Sequence, residues 1–178
     1  QGVVRPTDFD VVWLWRARMQ PHVDKFIAAA RSAGARIVAD IDDLVFASSE
    51  VTVEDIDGFR AMGWKPSSAA PLFALRTEVL AAADVRTATT VPLADAIETD
   101  IGSAVVVPNG YDDESWAVSN VAKALRPRNH LIRIGYAGGT LTHQRDLQVA
   151  VPALARVLAE DSRTRLVLFE ECVNLLEF

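Results

Sequence analysis

The residues best suited to chemistry fall in two short stretches. The first is Asp40-Ile41-Asp42-Asp43, which follows the apolar run Ile37-Val38-Ala39. Three carboxylates within four positions stand where a predicted parallel strand ends, the edge at which open α/β sheets bind ligands. Carboxylates so placed can hold a metal, accept from a sugar hydroxyl or act as a general base. A solvated acidic loop capping the next element would have the same composition. Leu44, Val45 and Phe46 follow directly and would pin the loop, which favours the functional reading. The second stretch runs from Ile132 to Asp146 and reads as a strand, a glycine turn and a helix start. Gly138 and Gly139 bring no Cβ to block a ligand, and Thr140 or Thr142 can cap the helix. A helix N-terminus offers free N–H groups and partial positive charge to a phosphate. An ordinary tight turn between strand and helix carries the same signature, because a lone Gly-Gly is a weak signal.

The elements that must position these residues read as α/β. With 178 residues, 50% of them hydrophobic and 24% charged, the chain can bury a core as one large domain or parts of two. A net charge of −6 argues against a broad nucleic-acid surface or a polybasic membrane patch, while a local basic pocket stays open. The lone Cys172 excludes an intrachain disulfide and any multi-cysteine metal site, and a cytoplasmic, reducing location is the simplest expectation. The apolar runs are too short to span a bilayer, and no signal-peptide pattern opens the chain. It starts at Gln1 and ends in Leu175-Leu176-Glu177-Phe178, so a fragment is expected.

Residues 10–15 form a continuous apolar run, expected to be a buried parallel strand, with Arg16 and Arg18 after it. Pro21 suits a first helical turn, Val23, Phe26, Ile27 and Ala30 recur at helical spacing, and Gly34 suits a C-cap. With strand 37–39 this makes a strand–helix–strand unit of crossover length. Residues 48–70 read as a loop with a short helix near 53–59. Residues 71–83 form a helix with Leu72, Leu75, Val79 and Leu80 as its stripe, and residues 84–90 a strand. A helix over 92–100 is expected to be capped by Thr90 and closed by Gly102, followed by a buried strand over 104–107. Pro108-Asn109-Gly110 marks a turn. Residues 111–128, with Trp116 and Pro127, look like a connection to a new sheet. A helix over 144–159 buries Leu147, Val151, Leu154 and Leu158, with a kink expected at Pro152, and residues 165–169 form the next strand. No internal repeat is visible. The domains are therefore placed at 1–110 and 131–178, joined by 111–130.

Three motifs stand in order: Asp40-Ile41-Asp42-Asp43-Leu44-Val45-Phe46, Val107-Pro108-Asn109-Gly110-Tyr111-Asp112, and the stretch from Ile134 to Asp146. With Pro152-Ala153-Leu154 and Arg165-Leu166-Val167-Leu168, the chain resembles the GT-B class of glycosyltransferases. Within that class it is similar to the large retaining, nucleotide-sugar-dependent family that includes sucrose-synthase-like and mannosyltransferase enzymes. The resemblance covers roughly residues 8–170 and implies two Rossmann-like domains of parallel sheet and flanking helices facing a cleft. It implies an acceptor against the N-terminal domain and a nucleoside-diphosphate sugar, as donor substrate, against the C-terminal one. Asp40, Asn109 and Gly110 then belong to the acceptor side or cleft. Asp42, Asp43 and His143 become catalytic candidates, and Gly138, Gly139, Thr140 and Arg145 the donor-diphosphate seat. His143 serves equally as a helix-capping or solvent-facing side chain. A guanidinium at Arg145 could bind phosphate bidentately. Stabilising the leaving diphosphate by a helix N-terminus and an arginine requires no metal or other cofactor. The partners implied are the nucleotide sugar and a carbohydrate or other hydroxyl acceptor.

Two departures from the family are visible. Its first strand and glycine-rich loop would precede Asp10, and its paired-glutamate motif would lie past Phe178. The adjacent Glu170 and Glu171 cannot stand in for glutamates two helical turns apart. Two incomplete halves of an enzyme are therefore expected, with self-association through open sheet edges as a consequence. Two other readings stay open. Asp40 and Asp42 also resemble the nucleophile loop of haloacid-dehalogenase-like magnesium-dependent phosphatases, although Leu44 departs from that pattern and no later acidic pair completes a magnesium site. The third reading is a non-catalytic α/β binding or scaffold module.

Overall fold

The computed structural model describes residues 5–49, 63, 65–126, 129–137 and 144–168, with side chains left out at 66 and 144–146. These residues pack as two compact units. One holds the described residues up to Ser49 together with those from Pro66 to Gly110, and the other Gly63, Lys65 and those from Tyr111 onward.

The first unit is a four-stranded parallel sheet in the order β1 (Val11–Trp15), β2 (Arg36–Ile41), β3 (Val85–Ala88), β4 (Val105–Val106). Between its strands run α1 (Pro21–Ser32), α2 (Pro66–Ala82) and α3 (Val91–Asp100). Helix α1 starts at a proline, where the missing N–H costs nothing, and ends at Gly34 in the left-handed region (φ 93°). There Gly34 N–H donates to the Arg31 carbonyl at 2.9 Å, and Ala35 N–H to the Ala30 carbonyl at 3.0 Å. The register pairs Trp15 with Asp40 and Asp40 with Thr87, so the acidic residue ends in the middle of the sheet's C-terminal edge. At the opposite edge the Asp84 carboxylate accepts Ile37 N–H at 2.7 Å and an Arg31 guanidinium N–H at 2.9 Å. The backbone N–H, more than the arginine, holds this carboxyl below its ordinary value.

All three helices cover the same side of the sheet. Val12 of β1, Ile37, Ala39 and Ile41 of β2, and Ala88 of β3 join one core with Ile27, Val79 and Ile97 from the three helices. An order of 1-2-3-4 with crossovers of one hand produces this, because each helix returns on the same side. The reading of β1 as a buried strand is therefore corrected. Val12 is buried, but Val11, Trp13 and Trp15 on the alternate face are 52%, 52% and 61% exposed. The strand over 104–107 is corrected likewise. It shrinks to Val105–Val106, both exposed, because it lies at the other edge of a sheet covered on one side. Thr90 stands at the N-cap of α3 with extended backbone, yet its side chain makes no capping bond.

Helix α2 begins five residues earlier than its sequence stripe suggested and carries Pro71 inside it. Burial explains this, since Ala69 and Phe73 are almost wholly covered and hold the first turns in place. The buried stripe then runs Ala69, Phe73, Val79 and Leu80, with Leu72 and Leu75 only half-buried. The short helix expected over 53–59 lies outside the described residues.

In the second unit, residues 113–125, within the segment expected to connect the sheets, form helix α4 (Asp113–Leu125). The Asp112 carboxylate caps it by accepting Ser115 N–H at 2.6 Å, and Tyr111 stacks on Trp116 with ring centroids 5.6 Å apart. The signals for this helix were present: an aspartate cap, Asp113 and Glu114 in the first turn, and Val118, Val121 and Leu125 at helical spacing. Next come β5 (Ile132–Tyr136), α5 (Gln144–Glu160) and β6 (Thr164–Leu168), with β5 and β6 parallel. Leu147 is buried, and Val151, Leu154 and Leu158 are half-buried on the same stripe. In the turn before β6, the Arg163 guanidinium donates to both oxygens of Asp161 and holds that carboxyl down at about 2. Among the described residues no helix is long and apolar enough to cross a membrane.

Candidate functional site

The C-terminal edge of the first sheet is where the sequence placed its acidic loop, and it is built from the ends of three strands and the face of α2. Strand β1 ends at Arg16, whose φ of 46° places a non-glycine residue in the left-handed region. Such a backbone costs about 1–2 kcal/mol and persists only where its surroundings enforce it. Here Arg16 N–H donates to the Asp40 carbonyl at 3.0 Å, extending the parallel ladder by one bond. The guanidinium lies 5.5 Å from the Trp15 ring centroid and turns into the acidic loop. Its Nε donates to the Asp42 carboxylate, and its Nη2 stands 3.6 Å from Asp43.

The three aspartates thus have separate duties. Asp40 accepts from the Thr87 hydroxyl at 2.5 Å, across the β2–β3 register. Asp42 is paired with Arg16 and partly covered, while Asp43 is 58% exposed and is the carboxylate most open to a ligand. The loop is pinned as its apolar residues suggested. Phe46 is buried, Leu44 and Val45 pack against the core, Val45 N–H returns to the Asp43 carbonyl at 2.9 Å, and Ala47 N–H donates to the Thr77 hydroxyl at 2.9 Å. A fixed carboxylate beside a fixed guanidinium can orient a polyhydroxylated ligand through both acceptor and donor bonds.

Arg76 completes this edge. It lies on α2 three residues after Phe73 and four before Leu80, on the buried side of the helix, and its Nη1 donates to the Val45 carbonyl at 3.2 Å. Its Nε is buried with no hydrogen-bond partner. Burial chiefly, then the nearby charges of Arg18 and Arg16, lowers its affinity for its proton, with Asp43 opposing them. Sequence reasoning assigned no role to Arg16, Arg18, Arg76 or Thr87. For Arg76 the available signal was a cation where the helix stripe calls for an apolar residue. For Arg16 it was an arginine ending a strand next to an acidic strand end.

Asn109 and Gly110 follow β4 and are exposed. Gly138, Gly139, Thr140 and His143 lie outside the described residues, as does the side chain of Arg145, whose backbone belongs to the first turn of α5. Among the described residues no three His, Cys, Asp or Glu side chains group as a metal-binding set. The phosphatase arrangement, which needs Asp40 and Asp42 free toward a metal and a phosphorus, meets carboxylates already engaged by Thr87 and Arg16. Comparison with protein-family models, with curated proteins and with solved structures finds no match to this chain.

Proposed function

We propose that the chain is part of a GT-B-type glycosyltransferase that moves a sugar from a nucleoside-diphosphate sugar to a hydroxyl acceptor. The observation that carries this reading is the fixed loop at the sheet's C-terminal edge, where Asp42 is locked to Arg16 and Asp43 stays open. That edge suits an acceptor hydroxyl, with Asp43 as hydrogen-bond acceptor or proton acceptor. The second unit supplies a parallel β–α–β element whose β5 leads toward Gly138 and Gly139, the residues expected to receive the donor diphosphate. In this reading Arg145 adds electrostatic stabilisation of the leaving group, His143 assists at the helix start, and no metal or other cofactor is required. The protein's partners are then a nucleotide sugar and a carbohydrate or other hydroxyl compound. Calorimetric titration with UDP-glucose and GDP-mannose tests the proposal. Saturable binding of either, weakened by Arg145→Ala, is expected; binding of neither, or unchanged affinity in the variant, overturns the donor-site assignment.

A further inference from the structure

Three arginines stand at the same edge of the sheet as the three aspartates. Arg16 and Arg76 grip the two ends of one short segment, Arg16 at Asp42 and Asp43, Arg76 at the carbonyl of Val45. Arg18 is brought to the same place by the backbone. Met19 N–H donates to the Leu75 carbonyl at 2.8 Å, which sets the residue before Met19 beside the residue after Leu75. Asp40 is turned away from this group, since its carboxylate is taken by Thr87 on the face of the sheet that the helices leave open. On this side of the edge, therefore, three guanidinium groups gather about two carboxylates.

We propose that Arg16, Arg18 and Arg76 form a seat for the phosphate group of a phosphorylated sugar at the C-terminal edge of the first sheet. Among the described residues, Arg76 makes one hydrogen bond, to Val45, so its planar fork keeps donor capacity at a position where burial makes unused donors costly. A dianionic phosphate matches guanidinium geometry bidentately. Arg16 is fixed at this edge by its left-handed backbone, with its N–H on the Asp40 carbonyl and its guanidinium on Asp42. Burial chiefly, and after it the repulsion of Arg18 and Arg16, lowers the proton affinity of Arg76, and a bound anion offsets the repulsion. Calling the sugar phosphate an acceptor rests on the transferase reading. The seat itself rests on the arginines.

The test is calorimetric titration of the 178-residue chain at low salt with glucose 6-phosphate, inorganic phosphate and glucose. Glucose 6-phosphate and phosphate are expected to bind saturably below about 10 mM, and glucose not to bind. Arg18→Met and Arg76→Met are each expected to weaken phosphate binding by roughly tenfold or more, the loss of a charge-assisted contact. Arg76→Lys should recover part of this, and Arg36→Met, at the far end of β2, should change nothing. Arg18 is exposed, so its variant keeps the test valid if Arg76→Met does not fold. Equal binding of glucose and glucose 6-phosphate, no saturable phosphate binding, or unchanged binding in Arg18→Met overturns the proposal. UDP-glucose and GDP-mannose in the same series separate the two readings. Phosphate binding with neither nucleotide sugar bound keeps the seat and removes the donor-site assignment, and binding of a nucleotide sugar without phosphate binding keeps that assignment and removes the seat.

Discussion

The two faces of the first sheet carry similar strand residues and have different fates. On one face Val12, Ile37, Ala39, Ile41 and Ala88 lie under three helices and are buried. On the other, Val11, Trp13, Trp15 and Val105 are open, and only Val38 and Thr87, flanked by strands on both sides, are covered. Parallel sheets are ordinarily covered on both faces, so apolar strand residues cannot reveal which face has received its helices. Chain direction decides it, because consecutive crossovers of one hand place every helix together. The covered face fixes the register, and the register carries Arg16, Asp40 and Thr87 to one edge.

The largest way to break this contrast is Phe46→Ala, which empties a buried site that joins the acidic loop to the covered core. A loss of about 3–5 kcal/mol is expected from urea unfolding. A cost below about 1 kcal/mol would show that the loop is not anchored there. Thr87→Val comes next. It removes the hydroxyl that Asp40 accepts from, leaving a half-buried carboxylate without that donor, at a cost of about 1–3 kcal/mol.

Asp84→Asn tests the register at the opposite edge and should cost about 1 kcal/mol near neutral pH. Its pH dependence has a definite sign. The folded carboxyl titrates below its ordinary 3.8, so its contribution is full above that pH and disappears as pH falls through the lower folded value. Unfolding curves of wild type and variant should therefore converge in acid below pH 3.8; a constant gap would contradict the Asp84–Ile37 bond. Trp13→Ala should cost well below Phe46→Ala, about 1 kcal/mol, because half of this side chain is already in water and only the other half loses its cover. A cost comparable to that of Phe46→Ala would mean that the second face is covered in solution.

Much of the first unit was legible in the sequence because local physics governs it. Pro21, the Val23–Phe26–Ile27–Ala30 spacing and Gly34 define α1, and they hold whatever packs against it. The acidic loop and its apolar pins were equally plain. Other features depended on partners distant in sequence. Helix α2 extends back through Pro71 because Ala69 and Phe73 find cover, which outweighs the lost hydrogen bond. Arg76 reads as a surface cation until Val45 and the arginines of the β1 loop appear beside it. The exposed helix α4 carries its own local signals, the Asp112 cap and the Val118–Val121–Leu125 spacing, inside a polar segment whose Trp116 and Pro127 also fit a connection.

By itself, the sequence determined the alternation of strands and helices, the parallel α/β class of the first unit and the placement of three carboxylates at a strand end. These follow from periodicity, turn residues and capping, which act over a few positions. Only the tertiary structure decided that Asp42 is bound to Arg16 and Asp40 to Thr87, that one face of the sheet stays open, and that three arginines gather at the acidic edge. Side-chain partners are set by register and crossover hand, and both arise from burying one continuous core across residues far apart in the chain.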